Sequence, residues 1–428
     1  MLDSGTTAFM LLCTMLVFLM TPALSFFYGG LARRKNVINT MFMSFLPVAL
    51  VGLLWVAVGW SLAYGGDGSN PIIGGFDQLF LEGQVSNLIA GINNSVIFPL
   101  TGHDYPQVID VAFQCAFAML ATACITGAVA GRMKLGALLL FLGLWSVLVY
   151  PALAHMVWGG SHSLIGGLIG AQDFAGGMVV EISSGLTGLV LALLLGRRRG
   201  FGVFAYRPHN VPFVLLGTGL LWFGWLGFNA GSAFAADKQA ALALLNTMVA
   251  PAAAMAAWLA LERVLTRKCS LVGACTGALA GMVAITPACG FVETWAALVI
   301  GVAVAPVCYC AVAFIKQKLG YDDALDVFGV HCIGGIGGVL LTGLFCVPAL
   351  SWSGQGGLIY TGSLRLLGSE LAGVAVTLVF VGGLSLLIGL LVKVVFRGKL
   401  ALDDRAQSTG LDNAVHGESA YPAFNGLD

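Results

Sequence analysis

Two ionisable residues, Glu181 and His331, sit in related apolar, glycine-rich stretches. Residues 173–188 read DFAGGMVVEISSGLTG and residues 323–338 read DALDVFGVHCIGGIGG. Laid in register, Asp173 meets Asp323, Val180 meets Val330, Gly185 meets Gly335, Gly188 meets Gly338, and Glu181 falls on His331. A carboxylate beside an imidazole can bind a cation, exchange a proton with it or pass a proton along. A buried structural ion pair is the competing reading. Aromatic residues form a second constellation. Phe113 and Phe117 lie one helical turn apart, Trp158 closes an apolar run, and Trp225 and Phe228 fall in GWLGFNAGSA, followed by Ser232. Ring faces attract a desolvated cation, whereas rings near span ends also serve as interfacial anchors.

The elements that position these residues are membrane spans. The chain has 428 residues, 58% hydrophobic and 9% charged, with mean hydropathy +0.93. Soluble domains carry about 25% charged residues. Apolar runs recur, each of about 20 residues, enough to cross a hydrocarbon core of about 30 Å. The fold class is an all-α polytopic membrane protein. Eleven spans are predicted, near 8–31, 38–64, 107–130, 135–158, 174–196, 211–233, 240–262, 270–288, 292–315, 326–347 and 367–396. The opening MLDSGTT lacks the basic region of a secretory signal, so the first run reads as a retained span. Arg33, Arg34, Lys35, Arg132, Lys134, Arg197, Arg198, Arg199, Arg207, Arg263, Arg267, Lys268, Lys316 and Lys318 fall in alternate loops. The other loops hold only Lys238 and Arg365. The positive-inside rule then puts the N-terminus outside and the C-terminus in the cytoplasm.

A second match at the same offset, TGAVAG at 126–131 and TGALAG at 276–281, extends the repeat. Spans 3–5 map onto spans 8–10, and by extension 1–2 onto 6–7. Five spans is an odd number, so the second copy enters the membrane from the opposite side. Such inverted repeats place the functional path near their interface and the bilayer midplane. The expected organisation is a transmembrane domain over 1–397, with repeat one at about 8–196 and repeat two at about 211–347. An unpaired bracing helix follows at about 367–396, and a cytoplasmic tail at 398–428. Glycines spaced small-xxx-small in spans 3, 5, 8 and 10 predict that these four pack closely at the centre.

Ionisable groups deep in a span are costly and mark pathways. Asp173 precedes Glu181 by about 12 Å of helix rise. It reads as the cap of span 5, and it also adds negative potential to an outer vestibule. Asp326 reads as the corresponding cap of span 10. The acidic loop 65–105 lies outside. Formal net charge is zero and no basic patch exists, which excludes nucleic acid as a partner. The ten cysteines lie mostly inside apolar runs, and Cys308 with Cys310 makes no zinc pattern. No metal cluster, haem pair or nucleophile–base motif is found, so neither a metal, a cofactor nor an enzyme activity is expected.

Six ordered motifs resemble one family: AHMVWGG (154–160), DFAGG (173–177), GWLGFNAGSA (224–233), TPACG (286–290), DVFGVH (326–331) and the tail GLDNAVHGESAYP (410–422). The chain is similar to the Amt/Mep branch of the Amt/Mep/Rh ammonium transporter family, from about residue 8 to 422. The resemblance implies a homotrimer of eleven-helix subunits in the cell membrane, each with its own hydrophobic pore for nitrogen uptake. It implies ammonium recruitment at Phe117, Trp158 and Ser232, supported by Asp173. It implies a gate of Phe117 over Phe228, and a pore lined by Phe113 and Trp225. Glu181 and His331 take the places of a paired pore histidine motif, as a proton relay. Ammonium or its analogue methylammonium is the implied substrate, with membrane lipid around the protein. A PII-type regulator at the cytoplasmic face and tail is the implied partner. A passive NH3 or CO2 channel and an ammonium-sensing receptor are the alternatives. The sequence departs from the family twice: Glu181 replaces the first pore histidine, and Gly131 replaces a common glutamate, which puts that residue's link to the tail in doubt.

Overall fold

Among the described residues, the apolar runs become eleven helices: α1 (Ser4–Leu31), α2 (Arg34–Tyr64), α3 (Val108–Val129), α4 (Leu135–Trp158), α5 (Gly177–Leu195), α6 (Val211–Gly231), α7 (Lys238–Leu265), α8 (Leu271–Ile285), α9 (Thr294–Leu319), α10 (Phe328–Phe345) and α11 (Arg365–Val395). These come from a computed structural model that describes residues 3–82, 104–198, 200–202 and 207–421. Ten of the helices are long and apolar enough to cross a membrane. The 15 residues of α8 rise only about 22 Å, and a run of turns after Ile285 carries the chain onward. Among the described residues there is no β-strand. Most of the loop expected at 65–105 lies outside the described residues.

Burial is inverted relative to a soluble protein. Leu53, Val379 and Val394 are 75, 77 and 76% exposed, while Asp110, Glu181, Asp322 and Glu370 are buried. Lipid tails cover an apolar perimeter without cost, whereas charges must turn inward. The protein is a multi-pass membrane protein.

Local chemistry sets the helix ends. Asp3, Asn210, Asp237 and Ser270 each accept from backbone N–H groups in the first turn of α1, α6, α7 and α8. Gly196 and Gly320, both at positive φ, terminate α5 and α9. The caps of α5 and α10 correct one expectation. Asp173 caps α5 as predicted, but the cap of α10 is Asp323, which accepts from Phe328 N at 2.7 Å. Asp326 instead pairs with Lys316 at 2.6 Å and sits at φ 63°. The repeat register itself pairs Asp173 with Asp323, whereas a place at the head of DVFGVH favours Asp326; the folded turn sides with the register.

α5 and α10 lie against each other at the centre, with α3 beside α5 and α8 beside α10. Gly185 permits the approach: a Cβ there would lie 2.3 Å from Cys332 N. α11 packs along α5 and α10, and Ser385 hydrogen-bonds Thr187 at 2.9 Å. The tail docks on the face where α1 ends and α4 begins. Asn36 Oδ1 accepts from Leu411 N at 3.0 Å, and Asn39 N donates to Asp412 Oδ1 at 2.9 Å. Gly131, at φ 78°, abuts the Asn36 amide, where a Cβ would come within 2.9 Å of Nδ2. Asn36 therefore ties the tail to the bundle beside Gly131.

Candidate functional site

Asp173 sits in the turn leading into α5. Its Oδ1 accepts from Gly176 N (2.8 Å) and Gly177 N (2.6 Å), and its Oδ2 from Met178 N (2.6 Å) and Val179 N (3.4 Å). Four orphan donors of a helix start are thus gathered on one carboxylate. Burial pushes that carboxyl up to about 6, against the downward pull of the four N–H groups. Its backbone carbonyl accepts the Trp158 indole N–H at 2.9 Å. The capping reading of Asp173 and a role in holding Trp158 are therefore compatible.

Trp158 and Asp173 line a cavity of about 660 Å³ on the face opposite the tail. Trp60, Tyr64, Asp110, Gln114, Phe234 and Trp352 also line it. Beneath it the aromatic residues form a chain. Phe117 meets Trp158 edge-on at 6.3 Å and stacks on Phe228 at 3.9 Å with an 11° interplanar angle. Phe228 in turn lies 5.4 Å from Trp225, whose indole N–H donates to Thr286 Oγ1 at 2.8 Å. A 3.9 Å stack is van der Waals contact, so nothing passes between the two rings unless one rotates. Ser232 is buried, and its hydroxyl donates to Phe228 O at 2.9 Å. Its proton is therefore committed, which leaves the oxygen lone pairs for an N–H donor. Phe113 packs on Phe117 (4.8 Å) and Phe234 (5.9 Å), behind the cavity wall.

Glu181 and His331 meet in the buried centre. Glu181 Oε2 and His331 Nδ1 are 2.7 Å apart, with side chains 1% and 3% exposed. Each residue falls in a π-helical turn, Gly177–Ile182 in α5 and Phe328–Cys332 in α10. A π turn widens the helix by one residue and redirects the side chains it carries. The two turns occupy equivalent places in the repeat. The other carboxyl oxygen, Glu181 Oε1, is buried without a hydrogen-bond partner.

A sequence profile described as "Ammonium Transporter Family" matches residues 8–421. The chain belongs to that family. It is 44% identical over 420 residues to an ammonium transporter of Bacillus subtilis, covering 98% of this chain and 99% of the relative. Its structure is similar to that of Candida albicans Mep2, with TM-score 0.85, 28% identity, and 98% and 93% of the two chains covered. It is also similar to one described as a "Sensor Amt Protein", with TM-score 0.84, 28% identity, and 96% and 98% covered. The protein is an ammonium transporter and not an enzyme.

In this ammonium transporter, several residues at the site carry no motif that singles them out. Asp110 and Glu370 are ionisable groups inside predicted spans, and that cost alone is the available signal. Glu370, in α11, accepts Gln172 N at 2.9 Å and so anchors the chain just before Asp173. Thr286 and Pro287 give TPACG its structural sense: Thr286 orients Trp225, and Pro287 O accepts Phe174 N at 3.1 Å. No signal in the sequence points to the π turns.

Proposed function

We propose that this transporter takes up ammonium from outside through one pore per subunit. The cavity at Trp158 faces outward, and the tail face is cytoplasmic, as the basic loops require. NH4+ is recruited on the ring faces of Trp158 and Phe117 and hydrogen-bonds to Ser232, with Asp173 supplying negative potential from behind. Crossing the Phe117–Phe228 gate strips its water. In the apolar passage the neutral form is favoured, because an unpaired buried charge is costly. The proton leaves, NH3 moves past Trp225, Glu181 and His331, and the proton follows separately through the carboxyl–imidazole pair. Net uptake is electrogenic. K+ has no proton to give up and is excluded.

The observation that carries this reading is the 2.7 Å Glu181–His331 contact, buried beneath a closed aromatic stack. Such a pair can accept, hold and donate a proton, which supports a route on which the substrate is deprotonated. Around it, two repeats of about 8–196 and 211–347 and a bracing helix at about 367–396 form the transmembrane unit. The tail from 398 rests beneath it. The assembly is a trimer in cell-membrane lipid, with a PII-type regulator meeting the tail face.

The test is current from reconstituted protein under NH4+, methylammonium and K+ gradients, comparing wild type with Glu181→Gln. The reading requires an NH4+ current in wild type, little K+ current, and a large loss of NH4+ current in the variant. Equal currents in the two proteins would remove the carboxylate from the mechanism. Likeness to a protein described as a sensor favours a second reading, a receptor whose pore binds without flux. Saturable methylammonium binding with no current in the same liposomes would establish it.

A further inference from the structure

A second group of residues lines the same cavity, and recruitment at Trp158 does not use it: Asp110, Gln114, Trp60 and Tyr64. Asp110 and Gln114 are four residues apart on α3, so they share one face of the helix. Gln114 is 5% exposed, yet its Oε1 has no hydrogen-bond partner. A bare buried acceptor is destabilising and uncommon, so it calls for an occupant. Asp110 is 4% exposed and accepts the Tyr105 hydroxyl. The Trp60 and Tyr64 rings lie 4.8 Å apart at a 40° tilt. Trp60 is held in place by its N–H, which donates to Gln78 Oε1 at 2.6 Å.

Together these supply a carboxylate, an amide oxygen seeking a donor, and two electron-rich rings on the cavity wall. That set complements a small cation with several N–H groups. An anion would meet the carboxylate, and a neutral apolar guest would leave the Gln114 acceptor bare. We propose that Asp110 and Gln114, flanked by Trp60 and Tyr64, form a second cation subsite that holds ammonium or methylammonium ahead of the Trp158–Phe117 position. The proposal rests on the reading that this cavity receives ammonium. The rival occupant is water, which would satisfy Gln114 equally well.

The sign of a charge change separates the two. Variants Gln114→Leu, Gln114→Glu and Asp110→Asn are reconstituted, and the apparent KM for methylammonium current is measured. Equilibrium binding of methylammonium to the purified protein is followed by calorimetry. Gln114→Leu removes one charge-assisted hydrogen bond, and the KM and the dissociation constant rise about tenfold at unchanged saturating current. Gln114→Glu adds a carboxylate to the subsite and shifts both constants the opposite way. Asp110→Asn raises both. Gln114→Leu also replaces a bare acceptor by an apolar group of similar size, so its melting temperature does not fall. Unchanged constants, or Leu and Glu variants shifting in the same direction, would assign the site to water and overturn the proposal. So would loss of saturating current together with lower melting temperatures in all three variants. Wild-type protein that carries no current defeats the transport reading alone, because the calorimetric arm still decides the subsite.

Discussion

Gly185→Ala tests whether the centre of the protein depends on the close crossing of α5 and α10. A Cβ at Gly185 would lie 2.3 Å from Cys332 N and 2.7 Å from Cys332 Cβ, whereas ordinary contact begins at 3.4 Å. The obstacle is backbone, so the helices must separate by about 1 Å rather than shift a side-chain tip. Glu181 and His331, now 2.7 Å apart, would open to about 3.7 Å, beyond hydrogen-bond range. Overpacking costs about 1–3 kcal/mol, and a lost buried hydrogen bond adds about 1–3 kcal/mol. At about 2 °C per kcal/mol for a large chain, the melting temperature falls by about 4–12 °C. Fluorescence-detected melting in detergent and NH4+ current in liposomes read the two consequences. At the equivalent position, Gly335→Ala meets Glu181 Cβ and Gly177 O at 3.0 Å, so its cost is smaller. Gly383→Ala, on α11 with nothing within 4 Å, is neutral or slightly stabilising. If Gly185→Ala melts and conducts like Gly383→Ala, the close crossing does not hold the pair together.

Two further outcomes follow from buried charges. The Asp173 carboxyl, raised to about 6, takes up a proton as pH falls from 7 to 5, and ammonium stays protonated throughout. The vestibule then loses the Asp173 charge and keeps Asp110 as its remaining carboxylate, so apparent KM rises on acidification by roughly fivefold, about 1 kcal/mol; the Asp173→Asn variant starts from a higher KM and rises less over this range, and a wild-type rise no larger than the variant's would contradict the shift. Asp322→Asn removes the carboxylate that faces Arg132 at 3.4 Å and Arg198 at 3.0 Å; uncompensated buried charge costs about 3–5 kcal/mol, so a large fall in melting temperature is expected, and an unchanged one would show that the cluster is not structural.

What the sequence alone determines follows from one-dimensional quantities. Hydropathy over about 20 residues defines a span whatever its neighbours are, so the all-helical membrane class is legible. The order of Trp158, Phe228 and Ser232 in ordered motifs is legible too, as is Phe117 one turn from Phe113. The internal repeat sets Glu181 against His331, and an offset of 150 residues is enough to single out that buried pair. Tertiary structure decides what depends on lateral neighbours and on the path of the backbone. It assigns the cap of α10 to Asp323, because only the folded turn shows which carboxylate reaches Phe328 N. It gives Ser232's proton to Phe228 O, ties the tail through Asn36 rather than through position 131, and brings Asp110 and Gln114 onto the Trp158 cavity. It also places Glu181 and His331 in π turns. A hydrophobic period of about 3.6 cannot reveal one extra residue in a single turn, yet that residue sets where the two side chains point.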